Sequence, residues 1–170
     1  GSWGTGGGEV GGAGGGPTGT TQTIGELFPS LDEVVLYINI DDGFVVYNSE
    51  TYTVDMQTGQ VDYEHSDTTT ASADATPRQI DNLLTAIRAT EWRAQPDCVS
   101  LAVDGGSYPP RLTLRSGTTE REFGVSDNPC AQSDHSALGD VMSCEAYQKI
   151  HVSVLVILPG GHAPFCDGYW

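Results

Sequence analysis

The chain has 170 residues, enough for one domain with a sizeable core. It contains 23 Asp and Glu against 7 Lys and Arg, for a formal net charge of −16. This charge argues against nucleic-acid binding and against electrostatic docking on anionic lipid, because both need a basic surface. The longest apolar run, HVSVLVILP, falls far short of the roughly 18 residues that span a membrane.

The charge is distributed unevenly along the chain. Residues 1–77 contain twelve Asp or Glu and no Lys or Arg, whereas residues 78–170 contain the other eleven acidic residues and all seven basic ones. The first half therefore cannot neutralise its carboxylates internally. A solvated acidic surface that keeps the protein soluble is the simplest interpretation. A divalent-cation site and a basic partner are the alternatives.

Glycine dominates the N-terminal segment, with 11 Gly in the first 19 residues. Such a sequence has almost nothing to bury and is typical of a flexible tether. We therefore predict a tether over residues 1–23 and a single folded domain over residues 24–170. A tether of this kind would hold a lipid-anchored or wall-anchored domain away from a surface. The sequence shows no signal peptide, which secretion would have removed.

The folded part is predicted to begin with short elements. Residues 25–33 read as a helical turn or loop that Pro29 interrupts. The β-branched and aromatic run EVVLYINI at 33–40 is a predicted strand. DDG at 41–43 is a predicted turn, and FVVY at 44–47 is a second apolar stretch.

A β-hairpin is the clearest local signal. Predicted strands at 51–56 and 60–66 flank Thr58 and Gly59, and glycine supplies the positive φ that a tight turn needs. The buried face of the hairpin is predicted to comprise Tyr52, Val54, Met56, Val61, Tyr63 and His65. The polar stretch at 66–75 is expected to be a loop.

An amphipathic helix is predicted over residues 76–92. Thr76 is a suitable N-cap, and Pro77 is a suitable first helical residue. The apolar stripe at helical spacing comprises Ile80, Leu83, Leu84 and Ile87. Trp92, near the end of this helix, is expected to pack on the sheet.

The second half of the chain repeats this pattern. It contains a predicted strand at 98–104 and a hairpin that turns at Gly117 and Thr118. The segment 143–158 fits two structures, a helix capped by Ser143 or a strand made of its β-branched residues. The helix is favoured, because the apolar residues recur at helical spacing.

Together these elements predict an α+β fold, in which an antiparallel sheet carries two helices packed on one face. The order reads βββα–βββα over residues 33–92 and 98–158, which suggests a pseudo-repeat of topology. Identity between the halves is slight. No motif is specific enough to indicate a family.

The cysteines indicate the compartment. They are Cys98, Cys130, Cys144 and Cys166. Their even number and wide spacing suit two disulfides in an oxidising compartment, so we predict an extracytoplasmic location: periplasmic, cell-surface or secreted. Of the three pairings we favour Cys98–Cys130 and Cys144–Cys166, since the second would pin the C-terminal tail to a helix. Four reduced, buried thiols are the alternative.

The hairpin at 51–66 also holds the candidate metal site. A two-residue turn would place Asp55 opposite Asp62, where like charges repel. The pair is either solvated or bridged by calcium, with Glu64 as a further ligand, because calcium prefers carboxylate oxygens. The ligands visible in the sequence fall short of the six or more oxygens that calcium takes, so the solvated pair is favoured and no other cofactor is expected.

No nucleophile elbow or phosphate-binding loop is present in the sequence. His65 and His151 fall on apolar faces and are expected to be core histidines with satisfied hydrogen bonds. Aromatic residues suited to a protein interface are Tyr108, Phe165, Tyr169 and Trp170. The alternative is that the C-terminal aromatics pack on their own domain.

These observations favour a non-enzymatic, extracytoplasmic binding or inhibitor-type module on a lipoprotein-like tether. Its expected partner is another protein or a surface component. The alternative is a structural subunit of a surface assembly or filament, in which self-assembly orders the Gly-rich segment. A hydrolase that uses an acidic pair is a third interpretation, since any acidic protein contains carboxylate pairs.

Overall fold

The computed structural model describes residues 22–39, 48–94, 110–125 and 140–162. Within them the chain forms nine strands and three helices. In chain order these are β1 (Gln22–Thr23), α1 (Ile24–Leu27), β2 (Glu33–Asn39), β3 (Ser49–Asp55), β4 (Gln60–His65), β5 (Thr70–Asp74), α2 (Pro77–Arg88), β6 (Glu91–Arg93), β7 (Arg111–Ser116), β8 (Thr119–Val125), β9 (Asp140–Met142) and α3 (Cys144–Ile157).

The strands form one sheet in the order β1-β6-β9-β8-β7-β2-β3-β4-β5. Neighbouring strands are antiparallel except β8 and β9, which run parallel. The predicted α+β class is confirmed, whereas the purely antiparallel sheet is wrong. The connection through residues 126–139 is long enough for the crossover that a parallel pair needs.

Burial with period two divides the sheet into two faces. On the central strand β2, Val34, Leu36 and Ile38 are buried, whereas Val35 and Tyr37 point to the opposite side and are less buried. The buried side continues across the neighbouring strands through Tyr52, Val54, Val61, Leu112, Leu114 and Phe123. We call this side the core face and the other side the open face.

Helices α2 and α3 pack on the core face. The Tyr52 ring on β3 lies 5.9 Å from the His151 ring on α3. Leu83 and Ile87 of α2 are fully buried in the same hydrophobic cluster. The two helices also contact each other.

Side-chain caps fix the start of α2, and strand pairing fixes the conformation of the residues after it. The Thr76 hydroxyl accepts the Gln79 N–H at 3.1 Å, and the Gln79 side chain accepts the Thr76 N–H at 2.8 Å. The helix ends at Arg88, so its predicted extension to residue 92 is wrong. Trp92 lies in β6, where pairing with β1 and β9 holds the chain extended.

The segment that fitted both helix and strand is a helix, as favoured. The Ser143 hydroxyl accepts the Ala146 N–H at 3.2 Å, which satisfies one free donor of the first turn of α3. The buried stripe of α3 comprises Cys144, Tyr147, Ile150, His151, Val154 and Ile157. Among the described helices, none has the length and apolar character needed to cross a membrane.

Strand β5 occupies a stretch that was predicted to be a loop. Residues 70–74 pair with β4 over their full length. Four of the five side chains are exposed, and all are small or polar. The alternation of apolar and polar residues that marks a half-buried strand is therefore missing from the sequence.

Three other short strands change the predicted order of elements. β1, β6 and β9 have two or three residues each and interrupt the βββα–βββα pattern, so the pseudo-repeat is not confirmed. β1 uses Gln22 and Thr23, the last two residues of the predicted tether. Residues 1–21 lie outside the described ranges, as do the predicted elements at 41–47 and 98–104.

We expect Leu83→Ala to lower the free energy of unfolding by about 2–5 kcal/mol, because removing a buried Leu side chain leaves a cavity. Leu83 is 0% exposed. Thr85→Ala, on the exposed side of the same helix, should change stability by less than about 0.5 kcal/mol. Urea denaturation of both variants measures the difference, and equal losses would mean that another side of α2 packs on the sheet.

Candidate functional site

The open face of β4 and β5 is acidic. Residues 49–74 contain no Lys or Arg. The register of β4 with β3 and β5 places Asp62 and Glu64 on the open face, together with Asp74 of β5. All three side chains are exposed. We call Asp62, Glu64 and Asp74 the acidic face.

The predicted opposition of Asp55 and Asp62 is wrong. The turn between β3 and β4 is longer than two residues and closes with a hydrogen bond from the Gly59 N–H to the Asp55 carbonyl at 2.8 Å. Asp62 consequently lies opposite Thr53. The register differs from the predicted one by two residues. That shift preserves the predicted core face, because side chains alternate with period two.

Asp55 closes this turn with its side chain. The carboxylate accepts the N–H groups of Thr58 at 3.1 Å and Gln57 at 2.9 Å, and these bonds hold the pKa of Asp55 below its usual value. Across the sheet Asp55 lies opposite Glu33. The Arg115 guanidinium stands 3.7 Å from the Glu33 carboxylate, so a base accompanies the two acids at this end of the sheet.

Asp62 is held by neutral donors instead. The Ser72 hydroxyl donates to its carboxylate at 2.7 Å, and the Gln60 side-chain amide donates at 3.0 Å. These two hydrogen bonds lower the pKa of Asp62. The carboxylate is therefore ionised at neutral pH and fixed in position without a basic neighbour.

The basic residues of the open face lie on another part of the sheet. Arg111 and Arg115 of β7 face Glu122 at 3.5 Å and Asp32 at 3.8 Å. β7 is three strand positions from β4, about 14 Å at a spacing of about 4.8 Å, and screening acts over about 8 Å at physiological ionic strength. No ion pair among the described residues joins a base to the acidic face.

The carboxylates of this hairpin are not arranged as the calcium hypothesis requires. Asp55 and Asp62 are not opposite each other, and Asp62 and Glu64 are separated by about 7 Å along one strand. Among the described residues, no group of three or more His, Cys, Asp or Glu side chains could hold a metal ion. Of the three predicted ligands, the structure keeps only Asp62 and Glu64 together.

A second polar cluster lies on the core face around Glu50, which is 1% exposed. Its carboxylate accepts the Tyr63 hydroxyl at 2.5 Å and the His162 backbone N–H at 3.1 Å. The His162 Nδ1 atom lies 3.2 Å from the same carboxylate. Glu50 thus ties β3 and β4 to the chain that follows α3.

Burial raises the pKa of the Glu50 carboxyl, but the hydrogen bonds from Tyr63 and His162 and the nearby imidazole outweigh it. The pKa therefore lies below its usual value, and the buried carboxylate is ionised. The buried position of Glu50 was not predicted from the sequence. Its position in phase with Tyr52 and Val54 is the signal that would have placed it on the buried face.

His151 is buried beside this cluster. The rings of Tyr147 and Tyr52 lie 5.7 Å and 5.9 Å from its imidazole. Its predicted core position is therefore right. The expected hydrogen bonds are wrong, because neither ring nitrogen has a partner among the described residues. Burial, opposed by the charge of Glu50, lowers the pKa of His151 to about 4, so the imidazole is neutral at physiological pH.

The other predicted residues fall partly outside the described ranges. Cys144 is disulfide-bonded, and the pairing remains a prediction because the other cysteines lie outside those ranges. His65 is half-buried, and its Nδ1 accepts the Asp67 N–H at 3.0 Å. The predicted residues without a described position are Cys98, Cys130, Cys166, Tyr108, Phe165, Tyr169 and Trp170.

Comparisons of the chain with protein-family models, with curated proteins and with solved structures gave no match. The acidic face and the Glu50 cluster are the two candidate sites that the geometry itself defines. The first is exposed and suited to binding, and the second is buried and suited to holding the fold.

We expect wild-type stability to decline between pH 6.5 and pH 4 through His151. Its folded-state pKa of about 4 lies below the unfolded value of about 6.5. The unfolded chain therefore binds this proton first as the pH falls. His151→Phe cannot bind it, and should gain roughly 2–3 kcal/mol relative to wild type between pH 7 and pH 4.5. Parallel pH slopes of the unfolding free energy in the two proteins would contradict the assignment.

Proposed function

We propose that this chain is an extracytoplasmic, non-enzymatic binding or inhibitor-type module whose acidic face docks a basic surface on a partner protein. The observation that carries the proposal is the uncompensated charge of Asp62, Glu64 and Asp74 on the side of the sheet opposite the helices. Charge of one sign on an open surface attracts a partner of opposite sign and discriminates against acidic proteins.

The rigidity of this surface supports a binding role. The acidic face is carried by paired strands, and the Asp62 carboxylate is oriented by Ser72 and Gln60 before any partner arrives. A group that is already fixed loses little conformational entropy on association. More of the electrostatic attraction is then retained as affinity.

The chemistry of the Glu50 cluster supports a structural role rather than catalysis. A catalytic acid or base must reach the proton it transfers. Glu50 is 1% exposed, and both carboxylate oxygens already interact with Tyr63 or His162. The neutral His151 ring is equally buried, among aromatic side chains.

The disulfide at Cys144 supports the extracytoplasmic location, because disulfides persist in oxidising compartments. The Cys144–Cys166 pairing is within reach of the chain. Cys144 lies about 10 Å along α3 from His151, which contacts the ring of Tyr52. Gly161 packs against the hydroxyl of the same tyrosine. The five steps from Gly161 to Cys166 span up to about 18 Å.

We expect octalysine peptide to bind wild-type protein, and Asp62→Asn/Glu64→Gln to raise its Kd about three- to tenfold, since each exposed ion pair contributes modestly. The matched control is Glu91→Gln/Glu145→Gln, which changes the net charge equally at exposed sites on β6 and α3. It should bind as wild type does. Fluorescence anisotropy at two salt concentrations measures both effects. Equal weakening by the two double variants would overturn the acidic face as the binding site.

The compartment is tested by the oxidation state of the cysteines. Without reductant the intact mass should be about 4 Da below that of the reduced protein, two hydrogens for each of two bridges. Non-reducing peptide mapping should join the Cys144 peptide to the Cys166 peptide. Four thiols that react with iodoacetamide in the native, unreduced protein would contradict the extracytoplasmic assignment.

A further inference from the structure

We propose that the partner binds as an added strand on the outer edge of β5, through an extended segment that alternates basic with small apolar residues. This inference rests on the proposed function and names the mode of docking and the chemistry of the partner. The mode is β-augmentation, in which main-chain hydrogen bonds give affinity and alternate side chains give specificity.

The hydrogen-bond phase of the β4–β5 hairpin shows which backbone groups face outward. The ladder is bracketed by bonds from the His65 N–H to the Thr69 carbonyl and from the Ala75 N–H to the Gly59 carbonyl, each 2.8 Å long. Residues of an antiparallel strand alternate between bonding inward and pointing outward. The register then makes residues 71 and 73 bond to β4.

The remaining residues of β5 leave their N–H and C=O groups directed away from the sheet. They are Thr70, Ser72 and Asp74, and all three are exposed. β5 is the last strand in the sheet order, and no described strand pairs with this outer edge. Its five residues therefore present three consecutive donor and acceptor sites at the spacing of a strand.

Natural sheets block such pairing with a very short edge strand, a bulge, Pro, charged side chains, especially Lys, or a covering helix or loop. Of the features that lie in the strand itself, β5 carries one charge, that of Asp74. β5 has the sequence TASAD, and its pairing with β4 runs without interruption over five residues. The opposite edge of the sheet, β1, has two residues. The available edge is thus beside the acidic face.

The side chains around this edge define what an added strand should carry. On the open face the added strand would lie next to Asp74, with Asp62 and Glu64 one strand further away. Lys or Arg on that side would meet these carboxylates. On the core-face side the neighbours are Ala71 and Ala73, which favour small apolar residues.

A second copy of this chain fits the edge less well. Two β5 strands paired about a two-fold axis would bring the acidic faces of both copies onto one continuous surface, where like charges repel. The net charge of −16 adds to this repulsion at long range. Charge complementarity therefore selects a basic partner segment.

Two variants of one residue test the edge. Ser72→Ala and Ser72→Pro both remove the hydroxyl that bonds Asp62, but only Ser72→Pro removes the outward N–H. The backbone N–H of Ser72 does not bond to β4, so proline is tolerated there better than at an inward position. The probe is an end-blocked octapeptide in which lysine and valine alternate, called here the alternating peptide. Ser72→Ala is the reference variant, because it has lost the same hydroxyl, and we expect Ser72→Pro to bind the alternating peptide at least about tenfold more weakly than Ser72→Ala does.

Methylated probes keep the test decisive if Ser72→Pro does not fold. Alternate amides of a strand point to opposite edges. Two forms of the alternating peptide can therefore be made, one N-methylated at the odd residues and one at the even residues. We expect wild type to bind one of these forms and not the other. An end-blocked octapeptide of the same composition, with all its lysines before all its valines, should bind more weakly than the alternating peptide. We call it the block peptide.

The outcomes separate this inference from the proposed function. One outcome is that both methylated peptides and the block peptide bind wild type as well as the alternating peptide does, while Asp62→Asn/Glu64→Gln still weakens the binding of every peptide. That outcome would exclude the β5 edge as the binding site and retain the acidic face. If Asp62→Asn/Glu64→Gln and the control Glu91→Gln/Glu145→Gln bind every peptide with equal affinity, the proposed function is wrong. Light scattering could instead show that the wild type is a dimer and that Ser72→Pro is a monomer. That result would mean that a second copy of the chain occupies the edge, and it would overturn the inference of a basic partner.

Discussion

The carboxylate of Glu50 ties the first residues after α3 to the sheet. An ionised carboxylate removed from water is costly unless donors and charge compensate it. Glu50 has a tyrosine hydroxyl, a backbone N–H and an imidazole around it. The N–H and the imidazole belong to His162, which lies beyond the end of α3. Removing the His162 donors would leave the buried Glu50 carboxylate with only the hydrogen bond from Tyr63, so the contact favours keeping the segment after α3 against β3.

The chain next to this contact approaches the sheet closely. Gly161 packs against the hydroxyl of Tyr52, and a Cβ atom at that position would overlap the hydroxyl oxygen. Glycine is therefore required by space at this point. The same Tyr52 ring contacts His151, so α3 and the segment after it are both fitted to one side of the sheet. Apart from Val35 and Tyr37 of β2, the open face of strands β2 to β5 carries polar side chains.

The sequence allowed the core face to be predicted much better than the register and the edge. The predicted burial of Tyr52 and Val54 is right although the observed register of the hairpin differs from the predicted one by two residues. A shift of two residues leaves every side chain on its own face. The predicted pairing of Asp55 with Asp62 is wrong, because it depended on the length of the turn. β5 could not be recognised, because an exposed edge strand carries no apolar alternation. A buried Glu50 was not predicted, because charged side chains are rarely buried unless they are paired and the partner, His162, is distant in sequence.

The edge strand β5, which could not be recognised from the sequence, is also the part of the sheet that could pair with another chain. An edge strand with free donors and acceptors is prone to pair with any extended chain, including its own copies. Proteins commonly block such an edge with Lys or Pro, and β5 contains neither. In the proposed binding mode the neighbouring carboxylates supply the discrimination instead, since they would repel an acidic strand and attract a basic one. The acidic composition argues against nucleic acid as a partner. In the proposed binding mode the same charge would keep copies of the open edge apart and would confine pairing to segments of opposite charge.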